Sequence, residues 1–452
     1  MKKIIFMSLT LLLFVFVTAC GNQTPTSPST GATTPAPAPA AQGESADEPT
    51  RVVIGFPSGY LPADRGGLQF VEEIFSVLPY DLPHIEPEVM VMLGADTAAG
   101  WDVYFTNIQT MAMAGNAPDV FHVPIEGIRL LVRMGLALPI DSYLDANPEF
   151  RDRVLSDIHP NLQAPFVIDG NTYSIVNDWN NIMMHINTQM LADVGLDIPP
   201  DDWDLELFMY YLSRISRVEN GERIYGFSLS TPFFGFSNWL MNNNTNFLNE
   251  DMTEVTFDSP EAIEVLQLFQ DLLYVYEFSP VPWEGFSSVN LFMEGRIAMG
   301  AWGRWTVSNY VAAGFTDVVL VPLPRLRSQN VVFGSGGSVV FSGSDVPNEA
   351  MAVVGWMADD HYVTQMTGIG NIPARRSIAD VVTVAPGVPM NPEAFYNSAE
   401  IARPVQAPPA YNDIVGIFSR YMSAMVANEM SAPDAARAAA EEMRAALERN
   451  PS

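Results

Sequence analysis

The side chains of this chain that could do chemistry are mostly acids. Asp and Glu number 52 against 22 Lys and Arg, with five histidines and one cysteine, for a formal charge of -30. A lone cysteine, Cys20, can close no intramolecular disulfide and build no cysteine-based metal site. The histidines are scattered, and neither G-x-S-x-G nor H-E-x-x-H occurs, so neither a metal nor a cofactor is expected. Lys2 and Lys3 are the only lysines, which excludes a lysine phosphate loop or a Schiff base in the rest of the chain. No basic stripe is available to replace the counterions of a nucleic acid. Two distant carboxylates suffice for a glycoside hydrolase; 52 acids leave that chemistry open without arguing for it.

The elements that must position these side chains read as an α/β pattern. Lys2 and Lys3, an apolar run from Ile4 to Val17 and the small residues before Cys20 follow in secretory order, in a run too short to span a membrane as a helix. Residues 1–20 resemble a bacterial lipoprotein signal, which implies lipidation at Cys20 and attachment to a membrane's outer face. Residues 21–50, rich in Pro, Ala, Ser and Thr, hold too few large apolar side chains to order themselves and read as a tether. The remaining 400 or so residues exceed the usual size of one hydrophobic core, so two lobes are expected. RVVIGF at 51–56, a turn at 57–60 and LQFVEEIFSVL at 68–78 read as strand, turn and helix. DVFHV at 119–123 and DVVLV at 317–321 read as buried strands, and 260–276 and the alanine-rich end as helices. Trp203 reads as a core residue, with Asp202 capping the helix that begins there.

Four stretches carry a family resemblance: AMAGNAPDVFHV (112–123), DGNTYSIVNDWNNIMMHINTQMLADVGLDIPPDDWDLELF (169–208), NLFMEGRIAMGAWGRW (290–305) and GIGNIPARRS (368–377). Together they resemble the extracellular solute-binding proteins of ABC sugar importers, in the broad family of maltose-binding proteins. Phe292, Gly295, Arg296, Ala298 and Met299 follow the family pattern, whereas Ile186 stands where tyrosine is usual before Asn187. The resemblance implies a periplasmic-binding-protein-like α/β architecture of two discontinuous lobes with a hinge. It places the first lobe at 51–181 and 336–402 and the second at 182–335 and 403–450. It further implies a monomer that captures a carbohydrate or related small solute, closes over it and delivers it to an ABC permease, with no catalysis. The glycoside hydrolase and a cell-surface sensory or adhesion module stand as the other two readings.

Trp302 and Trp305 match the family's cleft aromatics, and Gly300 and Gly303 are expected to let backbone and ligand approach closely. At strand ends and crossings stand Tyr60, His122, Glu126, Asp178 and Trp179; Trp239 and Trp283 lie in loop-rich aromatic stretches. An aromatic face can cover the C–H surface of a sugar ring, and a carboxylate can accept from adjacent hydroxyls. Each of these residues also has an ordinary place in the core or on the surface. Lipidation at Cys20 is directly measurable: the exported protein should carry acyl mass on Cys20, and Cys20→Ser should release it from membranes, whereas an intact Met1 on the exported protein would contradict the signal.

Overall fold

The computed structural model describes residues 48–61, 66–94, 100–229, 231–366, 371–379 and 387–450; the expected signal, Cys20 and nearly all of the expected tether lie outside these. The body from Glu48 onward is built on two main sheets. In chain order the strands are β1 (Thr50–Pro57), β2 (Ile85–Met92), β3 (Val120–Pro124), β4 (Ala137–Leu138), β5 (Val167–Ile168), β6 (Asn171–Thr172), β7 (Val176–Asn181) and β8 (Met183–Asn187). They continue as β9 (Arg217–Glu219), β10 (Glu222–Ser228), β11 (Ile297–Trp302), β12 (Val318–Val321), β13 (Val331–Phe341), β14 (Ile372–Pro373) and β15 (Ala402–Pro404). The first sheet has the order β14-β7-β13-β3-β1-β2, with β4 and β15 also on β13; the second runs β12-β8-β11-β10-β9, and β5 and β6 form a separate pair.

β-Branched and aromatic residues explain the central strands. Val52, Ile54 and Phe56 of β1 are buried, and β1 lies parallel to β2 and β3 with helices in the connections, the expected strand-turn-helix order. The expected runs at 119–123 and 317–321 become β3 and β12. The helix expected at 260–276 spans Pro260–Tyr274, capped by Ser259, whose hydroxyl accepts from the Ala262 N–H. Trp203 is buried and donates its Nε1–H to the Pro322 carbonyl at 2.8 Å. The cap expected at Asp202 falls instead on Asp204, whose carboxylate accepts from Leu207 N at 3.0 Å, because the helix begins at Leu205.

A single residue, Ile182, separates β7 of the first sheet from β8 of the second. The return runs through 322–330 into β13. All ladder partners of β13, namely β3, β4, β7 and β15, belong to the first sheet, so the expected 335/336 division falls inside this strand. After β15 the chain leaves for the helices Tyr411–Val426 and Ala432–Arg449, which pack with Pro260–Tyr274. The junction is tied by Asn181, whose Nδ2 donates to the Phe395 carbonyl at 2.9 Å and to Ser398 Oγ at 2.6 Å.

One ionic cluster ties the segment around β14 to Asp157, Asp359 and Asp360. The Arg375 side chain, 6% exposed, meets Asp157 at 3.0 Å and Asp359 at 3.5 Å and also pairs with Asp360, while Arg153 holds both Asp359 oxygens at 2.8 and 2.9 Å. Burial opposes ionisation of Asp157, but hydrogen bonds from Ser377 and Arg375 outweigh it and hold the carboxyl below its usual range. The same opposition, won by Arg153 and neighbouring charge, depresses Asp359. Depressed carboxyls stabilise the fold above their unfolded pKa and lose that contribution as pH falls through the folded one. Asp157→Asn should therefore cost roughly 2–3 kcal/mol in denaturant unfolding at pH 7. That difference from the parent protein should shrink below about pH 4.

Candidate functional site

The polar part of the site rests on β13 and its neighbours. The register pairs Gly334 with Asn180, Ser335 with Trp179, Gly336 with Asp178 and Ser338 with His122. Side chains alternate along a strand, so Asp178 and Asn180 share one face of β7 and Trp179 takes the other. At Gly336 a Cβ would lie 2.8 Å from His122 Nε2 and 3.5 Å from Asp178 Oδ1. At Gly334 it would lie 3.4 Å from Glu126 Oε1 and 3.6 Å from Phe234 Cε2. Two glycines on one strand face thus form a floor toward which Glu126, Asp178 and His122 converge.

The charges of this wall are set by burial. Glu126, in the first turn of the helix Ile125–Arg133, and Asp178 are each pushed up to about 7 by loss of water. Asn371 opposes this at Asp178 by donating to Oδ1 at 3.0 Å, and Asn180 donates to the oxygen of the same Asn371 amide. Burial pulls His122 down to about 3, so its imidazole is neutral. Tyr60, in the 3-10 turn after β1, has its ring centroid 4.5 Å from His122 and 5.6 Å from Trp101. Burial, then the charges of Asp178 and Glu126, raise its hydroxyl well above the ordinary tyrosine value. His122 Nε2, Glu126 Oε2 and Asn180 Oδ1 are buried without hydrogen-bond partners.

The second wall is aromatic. A cavity of about 610 Å³ is lined by Ser228, Phe234, Phe286, Trp302, Trp305 and Asn309, with Ile182 of the sheet junction at its edge. Trp302 ends β11 and packs edge-on against Phe292 at 5.2 Å; Trp305, 43% exposed, stands 6.2 Å from Phe234. Phe234 lines this cavity, and its ring, like Glu126 Oε1, borders the space beside Gly334. Arg304, between the two tryptophans' turns, is buried with Nε and Nη2 unpartnered, and burial lowers it to about 10. Gly300 and Gly303 serve a different purpose from the one expected. A Cβ on either would lie 2.1 Å from the ring of Trp302 or Trp305 respectively, so these glycines admit the folded-back indoles rather than a ligand.

The structure brings Tyr60, His122, Glu126 and Asp178 together around Gly334 and Gly336, and sets Trp302 and Trp305 in the lining of the aromatic cavity. Trp179 is fully buried on the opposite face of β7, edge-on to Phe333 and Tyr396. Trp239 is fully buried among Phe208, Phe227 and Phe269. Neither has a face turned to the cavity; strand alternation moves the first away and helix packing the second. Trp283 is 53% exposed and packs on Phe286, one step outside the lining. Trp101, Asn180, Phe234 and Asn371 belong to the site and were missed by sequence reasoning; the G-S-G-G run in β13 was the available signal of a close approach. Among the described residues no group of three or more His, Cys, Asp or Glu side chains is placed to hold a metal ion.

Two mixed sheets joined by a one-residue crossing give the α/β architecture of a two-lobed binding protein. The chain belongs to the bacterial extracellular solute-binding protein family, whose sequence pattern matches residues 95–395. It resembles the ABC substrate-binding protein Lmo0181 of Listeria monocytogenes, solved in complex with cycloalternan, with a TM-score of 0.75, 20% identity, and coverage of 89% of this chain and 100% of that one. It also resembles the sugar-binding protein MalE of Xanthomonas citri, with a TM-score of 0.74, 16% identity, and coverage of 88% and 98%. At such identities the likeness establishes the fold. A binding protein of Brucella abortus (strain 2308) is 25% identical over 207 residues, 44% of this chain; the match spans about half that relative's length, 47%.

Raised carboxyl pKa values make a stability statement. The native state holds protons on Glu126 and Asp178 that the unfolded chain has released, so stability is highest below the unfolded pKa and falls as pH rises toward 7. Glu126→Gln removes this loss. Without ligand it should raise the melting temperature at pH 8, by a stabilisation on the order of 2–3 kcal/mol, and leave it nearly unchanged at pH 4.

Proposed function

We propose that this protein is the extracellular substrate-binding component of an ABC importer. It captures a carbohydrate or related small solute between its lobes, closes over it and delivers it to a membrane permease pair. The observation that carries this reading is an aromatic-lined cavity whose Phe234 also borders Gly334, beside a group of buried, partly unpartnered polar side chains. A solute wedged there would gain stacking from Trp302 and Trp305 and hydrogen bonds from the wall, and would exclude water from both. Such a ligand contacts the closed arrangement more completely, so it shifts the hinge equilibrium toward closure. Several relatives of similar fold are described as sugar-binding proteins or were solved with sugars, which supports the carbohydrate reading.

The lobes proposed here are 48–181 with 331–404 and 182–330 with 405–450, following sheet membership. We propose further that the protein acts as a monomer tethered through 21–50 to a lipid anchor at Cys20, a reading supported by the secretory order of the first twenty residues.

Trp305→Ala should leave the melting temperature within a few degrees, because the side chain is 43% exposed, while weakening solute binding by about ten-fold in calorimetry. Trp239→Ala should instead destabilise the fold by about 3–5 kcal/mol, as a buried aromatic truncation does. Scattering with a bound oligosaccharide should show compaction, and the oligosaccharide should be recovered intact. Product released beyond the amount of protein would establish a glycoside hydrolase instead.

A further inference from the structure

The first wall carries two buried carboxyls with no cation beside them. Glu126 and Asp178 project over Gly334 and Gly336, two residues apart on one face of β13, which is roughly 7 Å along a strand. No arginine pairs with either among the described residues, and Arg304 forms no ion pair with them. The titratable groups acting at Glu126 are Tyr60 and Tyr411; those at Asp178 are Tyr60 and Tyr362, with neutral His122 facing the same space over Gly336. None of these supplies a positive charge.

The unpartnered atoms define what would fit. Glu126 Oε2 and Asn180 Oδ1 are acceptors, and His122, 3% exposed, aims an unpartnered Nε2 into the space it shares with Asp178 Oδ1. The rings of Tyr60 and Trp101 stand against His122, with centroids 4.5 and 6.2 Å away. A neutral hydroxyl offers one donor and brings two lone pairs that themselves require donors. An ammonium group brings up to three donors, no acceptor in need of a partner, and the missing charge, and aromatic faces attract it.

Resting on the reading of this cleft as a solute site, we propose that the captured solute is a polyhydroxylated ring compound bearing a protonated amine. The amine lies over Gly334 and Gly336 between Glu126 and Asp178, and the ring's apolar face meets Trp302 and Trp305. The strongly acidic composition of the chain favours the approach of such a cation.

Calorimetric titration of the full chain with three trisaccharides tests this: a glucosamine trimer with free amines, its N-acetylated counterpart, and maltotriose. At pH 7 the free-amine trimer should bind at least about ten-fold more tightly than either neutral sugar, and lose most of that advantage at pH 5, where Glu126 and Asp178 are protonated. Glu126→Gln and Asp178→Asn should each bring the free-amine trimer's affinity down toward that of the neutral sugars, so that the ratio between them falls by about ten-fold. A neutral trisaccharide binding as tightly as the free-amine trimer to the unaltered protein would overturn the amine inference and leave carbohydrate capture standing. Binding of none of the three would overturn both.

Discussion

The register of β13 is the constraint on which the rest of this structure depends. The strand is hydrogen bonded to β7 on one side and β3 on the other, and its first residues also carry β15. Because side chains alternate, a slip of one residue would turn Asp178 and Asn180 into the apolar layer and Trp179 out of it. The apolar burial of Trp179 against Phe333 and Tyr396 therefore holds the acidic wall in place from behind. Packing on one face of the sheet determines chemistry on the other.

That chemistry has a cost that the fold tolerates. Two carboxyls, a neutral imidazole and an amide oxygen are removed from water, and Glu126, His122 and Asn180 each keep an atom without a hydrogen-bond partner, a penalty of the kind a native protein usually avoids. The large aromatic cluster around Phe233, Phe236, Phe247 and Phe418, with ring centroids as close as 4.0 Å, supplies apolar burial that offsets such penalties.

The junction between the sheets shows the same economy. Asn181 ends β7, Ile182 alone crosses, and the Asn181 amide is held by Phe395 and Ser398. The segment leading to those residues also bonds to β12 of the second sheet, through Met390 N to the Val318 carbonyl at 2.9 Å and through Asn391 to Leu320. Residues far apart in sequence thereby converge on one short crossing.

The strands at 51–56, 119–123 and 317–321, the helix begun at Pro260 and the α/β character followed from local periodicity, because β-branched runs and capping residues act within a few positions of one another. The family followed from motifs spread along the chain. Partner geometry did not: nothing local to Trp179 or Trp239 distinguishes a ligand platform from a core ring, and Asn371 lies about 190 positions from the Asp178 carboxylate it holds. Local sequence was enough to say which segments become strands and helices, that two lobes are expected, and that no lysine follows Lys3 and no cysteine accompanies Cys20. Only the tertiary structure decided which face of β7 meets the cavity, that Gly334 and Gly336 lie beneath Glu126 and Asp178, and that Gly300 and Gly303 make room for indoles. The reason is physical: secondary structure answers to neighbours along the chain, whereas burial, and with it the charge of a carboxyl, answers to whatever long-range pairing places above it.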